Sequence, residues 1–498
     1  MTRTSTRGAR RRVVVVGGGT AGSVLASRLS EDPAVAVTVL EAGPDHDAYD
    51  VGVLEPARAA AAWAGAVPSA VTPMLTEGGG AIPMLQGRVL GGTSALNGLA
   101  TLRGLPEDYD GWAAAGLDGW GWDDVVSTFI AAERDRDFGS SPLHGDDGPL
   151  PVRRWRLEEL SRAQRAFYDG MVELGEPVAA DINDPSQLPG LGVFPVTIDD
   201  AGRRVTTSLA YLTEDVRARE HLTIRTGAEV ARIELSAGRA VGVTLASGEE
   251  IEADETVVCS GAIWSAALLL RSGIGPADHL AERGVPVHAD LPVGSTMSDH
   301  LGPGIPYRHD GPRGGVAGPA QSLLLGASNG RDVDYHAFPI ASVPSEDETT
   351  FMMAVFLLRS SGRGSVRLGD APADDPVVTA PPLPDDGDDR LRHGFDRLAA
   401  WERSAPAREL GCAPLVPHDL SAPDAVTAAV ERNLISYGHM VGTCPMGTVL
   451  DADCRVLGVD GLRLADASVM PTIPSGNTYL GCVMVAERIA RKMRAGAS

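Results

Sequence analysis

The chain is poor in cysteine, in aromatic residues and in basic side chains. Its five cysteines are too few and too scattered for a disulfide framework or a zinc site, so we predict no metal and a reducing compartment, the cytoplasm. The 43 Lys and Arg residues face 66 Asp and Glu, and the formal charge of −23 argues against nucleic acid or an anionic membrane surface as a partner. With 5% aromatic residues, the composition gives no sign of an aromatic cage around a ligand.

Long hydrophobic runs are also lacking. No stretch of about 18 apolar residues occurs, so no membrane-spanning segment is predicted. The basic start Thr2–Arg12 precedes valines as in a secretory signal, but three consecutive glycines interrupt the apolar stretch and we do not expect a signal peptide. We interpret the acidic run Asp370–Asp389 as a solvated loop and Glu55–Ala81 as irregular structure, and the length favours about two domains.

A strand, a glycine loop, a helix and a second strand follow one another near the start of the chain. Val13–Val16 predicts a strand buried on both faces, Ala21–Leu29 has helical apolar spacing, and Val35–Leu40 predicts the next parallel strand. The loop between the first strand and the helix has the spacing G-x-G-x-x-G, which predicts a pyrophosphate at the helix N-terminus. We assign contacts with the dinucleotide to Gly17, Gly19, Thr20, Ala21 and Gly22.

Glu41 closes the second strand. It follows the loop by about 20 residues, where an acidic side chain accepts hydrogen bonds from a ribose hydroxyl. An acid at this position argues against NADP but does not separate NAD from FAD.

Further motifs extend over nearly the whole chain. They are GRVLGGTSALNG at 87–98, GWGWDD at 119–124, GAIWSAALLLRSGIGP at 261–276, LPVG at 291–294, SDH at 298–300, SYGHMVGTCPMG at 436–447 and PSGNTY at 474–479. Together they resemble the signatures of the glucose–methanol–choline (GMC) family of FAD-dependent oxidoreductases, which includes choline dehydrogenase-like enzymes. Met440 and Ala266 stand where that family usually has proline, and Gly438 stands where many members carry a larger side chain.

The resemblance implies an α/β fold with two domains. A doubly wound, Rossmann-type FAD-binding domain would be joined by a substrate domain built on an antiparallel sheet with helices. The FAD-binding domain would consist of residues 1–150, 208–300 and 427–498, and the substrate domain of residues 151–207 and 301–426.

The resemblance also implies further residues at the cofactor. They are Arg88, Gly91, Gly92, Thr93, Asn97, Gly98, Val230, Gly261, Asp466, Ala467, Asn477 and Thr478. Some members bond FAD covalently through a histidine just before the loop asparagine, whereas here Leu96 precedes Asn97. Leucine has no nucleophile, so we expect FAD to be held non-covalently.

The implied reaction is oxidation of a primary or secondary alcohol to a carbonyl by hydride transfer to flavin N5. An alcohol has a pKa near 15.7 and histidine one near 6.5, and this gap of about nine units corresponds to roughly 12 kcal/mol for a free alkoxide. Proton removal must therefore be coupled to hydride loss, or the oxyanion must be held by donors. We assign the base to His439, and to Asn477 the orientation of the oxygen, because an amide cannot act as the base.

Several points stay open at this stage. The acceptor is oxygen, a quinone, a dye or a redox protein, and we favour a dehydrogenase only because such enzymes are common among soluble relatives. A hydroxynitrile lyase, a light-driven decarboxylase, a flavin-binding protein without turnover and an NAD-linked dehydrogenase are the alternatives. His300, beside Asp299, and His144 are interpreted as structural, and Tyr479 and Met353 as lining the pocket.

Overall fold

The protein is described by a computed structural model that covers residues 10–48, 54–56, 65–312, 314–315, 318–341 and 349–495. Within those ranges, no helix has the length and apolar character that crossing a membrane requires.

A five-stranded parallel sheet carries the glycine loop. Its strands, in spatial order, are Leu462–Leu464, Glu255–Val258, Arg11–Val16, Val35–Leu40 and Leu222–Arg225. The valines at 13–16 are buried, as expected for a strand covered on both faces. The main helices associated with this sheet are Thr20–Leu29, Gly261–Arg271 and Thr478–Ala495. The predicted Rossmann-type half of the fold is therefore confirmed.

A larger antiparallel sheet forms the second half. Its path runs through Ala413–Pro414, Leu301–Arg308, Thr350–Leu357, Tyr335–Ala341, Ser322–Gly326 and Gly190–Val193, and Leu434–Ser436 pairs with the second of these. Its helices are Arg162–Glu173, Gly387–Glu402, Ala405–Leu410 and Ala425–Asn433. This confirms the predicted antiparallel sheet with helices.

Three small sheets complete the described strands. They comprise Ser365–Arg367, Val377–Thr379, Ser69–Leu75 and Ala81–Gly87; Val230–Ser236, Arg239–Leu245 and Glu250–Glu252; and Glu133–Asp135, Leu150–Arg154 and Pro195–Val196. The remaining helices are Pro106–Ala114, Trp122–Ala132, Thr207–Tyr211, Glu214–Arg217 and Ala277–Glu282. Short 3₁₀ turns occur at His46–Ala48, Gly92–Ala95, Leu157–Glu159, Pro185–Gln187 and Ala467–Val469.

The chain crosses between the two halves more than once. The parallel sheet takes strands from three separated stretches of sequence, 11–40, 222–258 and 462–464. Leu434–Ser436, however, pairs with the antiparallel strand Leu301–Arg308, although it falls inside the segment assigned to the FAD-binding domain. The division at residues 150, 207, 300 and 426 stays a prediction.

Two predictions about loops are wrong in part. Ser69–Leu75, inside the stretch predicted to be irregular, is a strand paired with Ala81–Gly87. Buried and exposed side chains alternate along this strand, but the sequence does not show it. The outward positions carry Val71, Pro73 and Leu75, which are apolar yet exposed. Residues 57–64 of that stretch lie outside the described ranges. The acidic run ends in the helix Gly387–Glu402, where its last aspartates occupy the first turn and complement the helix dipole.

A buried ionic cluster surrounds His144. Its members are Arg103, Glu133, Asp135, His144, Arg154 and Asp181. The imidazole Nδ1 lies 2.8 Å from Glu133 and 3.0 Å from Asp135, and Nε2 lies 2.7 Å from Asp181. Burial opposes the charge, but these carboxylates raise the pKa of His144 to about 10. Three cations therefore balance three anions, and the cluster is structural.

We expect His144→Gln to destabilise the protein by about 3–5 kcal/mol, because it leaves buried carboxylates without their partner. The pKa of His144 is raised on folding, so this contribution is fully present below the unfolded value near 6.5 and is lost as the pH rises towards about 10. Thermal unfolding of both proteins at pH 6 and pH 9.5 measures this. If the difference in Tm between the original protein and His144→Gln did not shrink at pH 9.5, this role of the His144 charge would be contradicted.

Candidate active site

One large cavity runs along the carboxyl edge of the parallel sheet and under the antiparallel sheet. Its volume is about 660 Å³. Val16 and Leu40 end two of the parallel strands and line it, as do Cys259 and Asp466, which follow two others. Ligands of open α/β sheets bind at this edge, beyond the strand ends.

Most of the predicted cofactor residues line this cavity. They are Gly17, Gly19, Thr20, Ala21, Glu41, Arg88, Gly92, Thr93, Asn97, Gly98, Val230, Gly261, Asp466, Ala467, Asn477 and Thr478. Gly22 and Gly91 do not line it. Their part is to pack the two glycine loops: a Cβ on Gly22 would lie 1.9 Å from the Gly17 carbonyl oxygen, and the Gly91 amide donates to Gly18 at 2.8 Å.

The carboxylates of Glu41 and Asp466, both predicted at the cofactor, already accept hydrogen bonds within the protein. Glu41 accepts from the amides of Gly18 and Gly43, both at 2.8 Å. Asp466 accepts from the Gly261 amide at 2.8 Å and from the Ser265 hydroxyl at 2.6 Å, and its other oxygen accepts from Ser468. Burial raises the pKa of both groups. Asp466 therefore holds the N-terminus of the helix Gly261–Arg271 in place.

The lining fits a dinucleotide. The helices that begin at Thr20, Gly261 and Thr478 all present their first residue to the cavity. The Gly261 amide is taken by Asp466, so the helix N-termini at Thr20 and Thr478 are the ones whose amides and helix dipole favour phosphate. The loops leave no room for side chains, because a Cβ on Gly92 would lie 2.8 Å from the Gly19 Cα. Trp264 and Arg271, which sequence reasoning missed, line the cavity beside Val230, and the guanidinium carbon lies 5.7 Å from the indole centroid.

At the other end of the cavity, His439 and Asn477 face each other. The Asn477 amide nitrogen lies 3.1 Å from Nε2 of His439, so the two side chains predicted to act together are in hydrogen-bonding contact. They are brought together by the loop after the strand Leu434–Ser436 and the start of the helix Thr478–Ala495. His439 is only 7% exposed.

Comparisons with family models and with known proteins identify the family of this chain. The two models described as GMC oxidoreductase match residues 12–302 and 360–486. The chain belongs to the GMC oxidoreductase family. It is therefore an oxidoreductase of a family of FAD flavoproteins.

Several relatives cover this GMC oxidoreductase almost end to end. A 5-(hydroxymethyl)furfural oxidase of Methylovorus sp. (strain MP688) is 34% identical over 96% of this chain and 97% of that protein. An oxygen-dependent choline dehydrogenase of Burkholderia pseudomallei (strain 1710b) is 33% identical over 97% and 93%. The crystal structure of pyridoxine 4-oxidase from Mesorbium loti superposes with a TM-score of 0.88 at 29% identity, covering 98% of this chain and 99% of that one.

Aromatic rings gather at the His439 end of the GMC site despite the low aromatic content. The Tyr437 ring stacks on the His439 imidazole with centroids 4.1 Å apart, and Phe356 stacks on Tyr437 at 4.3 Å. Phe338 lies 5.2 Å from Tyr437 and 5.5 Å from Phe194. All four rings line the cavity. Of the four, only Tyr437 belongs to one of the recognised motifs, so the sequence carried no signal for the other three.

Asp299 and His300 do not form a side-chain dyad. The Asp299 carboxylate accepts from the backbone amides of His300 and His439, at 2.8 and 2.9 Å, and from the Ser436 hydroxyl. The His300 ring instead contacts the His439 ring, with 3.0 Å between their Nδ1 atoms. His300 therefore touches the proposed base itself.

Burial controls the charge of these groups. It lowers the pKa of His439 to about 3, with a further contribution from His336, and it lowers the pKa of His336 to about 3. It also lowers the pKa of His300 and raises that of Asp299 to about 6. Both imidazoles of the contacting pair are therefore neutral at pH 7.

The prediction that Met353 lines the pocket is wrong. Side chains alternate along the strand Thr350–Leu357, and Met353 points into the core with Phe351 and Val355. Its neighbour Met352 lines the cavity, as does Tyr479, the other predicted residue. A Cβ on Gly438 would meet nothing within 4 Å, so this glycine leaves open space beside the base.

Proposed function

We propose that this GMC oxidoreductase oxidises alcohols, with His439 as the base and Asn477 as the group that orients the reacting oxygen. The observation that carries the proposal is the 3.1 Å contact between His439 Nε2 and the Asn477 amide, in the same cavity as the glycine loops. An alcohol oxygen seated between them would donate its proton to Nε2 and accept from the amide. FAD, when bound along the cavity, would accept the hydride from the alcohol carbon.

The environment of His439 requires proton and hydride to leave together. With the pKa of the imidazole at about 3, the gap to an alcohol near 15.7 is about 13 units, or roughly 17 kcal/mol for a free alkoxide. This cost alone would limit turnover to about one per second, and in a stepwise reaction it would add to the barrier of hydride transfer itself. As the carbon loses hydride, the hydroxyl becomes far more acidic, and the proton then moves to Nε2 while the Asn477 amide holds the oxygen.

The substrate we propose is an uncharged alcohol with a flat, apolar body. Phe194, Phe338, Phe356 and Tyr437 surround the His439 end and favour a ring. Glu41, Glu229 and Asp466 are the acidic side chains among the described lining residues, and each already has a partner in the protein. Among these lining residues, a quaternary ammonium such as choline would find no free carboxylate.

For the electron acceptor we propose oxygen. Two of the relatives are named as oxidases and a third as oxygen-dependent, whereas our expectation from sequence favoured a dehydrogenase. The two electrons and two protons taken from the alcohol would then reduce one oxygen molecule to hydrogen peroxide.

Anaerobic mixing tests the proposal. We expect neutral hydroxymethyl arenes to bleach the flavin absorbance and choline to leave it unchanged at the same concentration. Admitting oxygen should restore the absorbance with one hydrogen peroxide per aldehyde. Product without bleaching would point to a lyase, and recovery only with a quinone would point to a dehydrogenase.

FAD should be released by acid precipitation of the protein, because we propose that it is held non-covalently. Leu96 lines the cavity and has no nucleophilic atom. The yellow colour should appear in the supernatant, and the protein mass after denaturation should equal that of the chain alone. Flavin that stays with the pellet would contradict this.

A further inference from the structure

Two buried imidazoles meet nitrogen to nitrogen behind the proposed base. Nδ1 of His300 lies 3.0 Å from Nδ1 of His439, and the ring planes are nearly perpendicular at 82°. His300 is fully buried and His439 nearly so. Because both rings are neutral, one of these two nitrogens carries the shared proton and the other offers its lone pair.

Asn477 decides which nitrogen carries the proton. Its amide nitrogen is a donor only, and it lies 3.1 Å from Nε2 of His439. Nε2 must therefore be the unprotonated nitrogen, which places the ring proton of His439 on Nδ1. Nδ1 of His300 then accepts that proton's hydrogen bond, and His300 carries its own proton on Nε2. If the side-chain oxygen of Asn477 faced Nε2 instead, both rings would take the opposite tautomer.

A carboxylate usually orients a catalytic histidine, but no carboxylate of the described residues is hydrogen-bonded to the His439 ring. Asp299 is the acidic group beside both histidines. Its carboxylate oxygens accept hydrogen bonds from their backbone amides and from the Ser436 hydroxyl. It thereby fixes the two main chains at the separation that brings the rings together. The ring of His439 is left with His300 behind it, Tyr437 stacked on its face, and Asn477 in front.

We propose that His300 is a positioning residue that holds His439 in the tautomer with a free Nε2 lone pair facing the cavity. This inference rests on the proposed base role of His439. In the opposite tautomer Nε2 would carry a proton and could not accept one from an alcohol. When His439 becomes an imidazolium, its Nδ1–H keeps the same acceptor, so no rearrangement accompanies proton transfer.

The two variants His300→Leu and His300→Asn separate this role from packing. Leucine fills a similar volume without an acceptor, whereas the asparagine side-chain oxygen can accept in place of Nδ1. In anaerobic stopped-flow mixing of the holoenzyme, we expect His300→Leu to lower the limiting rate of flavin reduction about tenfold or more. Its alcohol dissociation constant should stay unchanged, and His300→Asn should recover the rate to within about threefold.

Nitrogen NMR of histidine-labelled holoenzyme reports the tautomer without turnover. The His439 signals, identified by their loss in His439→Ala, should show a protonated Nδ1 and an unprotonated Nε2. A protonated Nε2 would overturn the inference, as would equal reduction rates in the Leu and Asn variants. Full turnover by His439→Ala would instead overturn the proposed function and leave the tautomer result standing.

Discussion

His439→Ala should retain its flavin and lose nearly all alcohol oxidation. General-base catalysis contributes about 10²–10⁴-fold, and Nε2 of His439 is the basic atom in contact with the Asn477 amide. The loss should appear in the anaerobic rate of flavin reduction, because the step affected is proton removal during hydride loss. The fully reduced protein should still react with oxygen at nearly the unchanged rate.

His393→Ala is the matched control. This histidine is exposed on the helix Gly387–Glu402, away from the cavity, and its removal should leave the reduction rate unchanged. If His439→Ala reduced its flavin within about tenfold of the original rate, the base would have to be another group.

The second large effect is expected for Gly22→Ala, which should weaken flavin binding roughly 100-fold. The new Cβ would lie 1.9 Å from the carbonyl oxygen of Gly17, so the helix Thr20–Leu29 would have to move away from the first strand. Overpacking typically costs up to about 3 kcal/mol, and a contact this close falls at that upper end, which corresponds to roughly 100-fold in FAD affinity if the loop alone adjusts. The flavin-to-protein ratio of the purified variant and titration of the apoprotein with FAD both measure this.

Gly111→Ala serves as the control for a glycine in a helix. A Cβ at that position meets nothing within 4 Å, and alanine favours the helix Pro106–Ala114 by about 1 kcal/mol. This variant should keep a full complement of flavin. Normal flavin binding by Gly22→Ala would show that the close approach of the loop and the helix is not needed.

Local patterns were sufficient to predict the nucleotide-binding half of the fold. Val35–Leu40 is a strand at the bounds that its β-branched run predicts, and the predicted helix after the glycine loop differs by one residue at its start. These elements are built from consecutive residues, so periodicity and glycine spacing report them directly. Their roles towards the cofactor stay predictions.

Contacts between distant parts of the chain could not be predicted. The His300–His439 pair joins residues 139 positions apart, and each sits in a motif that can be explained without the other. Likewise, Phe338 and Phe356 come from neighbouring strands of the antiparallel sheet, where only the register decides which side chains face the cavity. The same alternation explains why Met352 rather than Met353 lines it.

The most direct test is a crystal structure of the flavin-bound protein with an unreactive alcohol analogue. We expect FAD to lie along the cavity from Glu41 to His439, and the analogue's oxygen to lie within about 3.2 Å of both His439 Nε2 and the Asn477 amide nitrogen. An oxygen bound by other groups, or an imidazole turned away from it, would contradict the central claim.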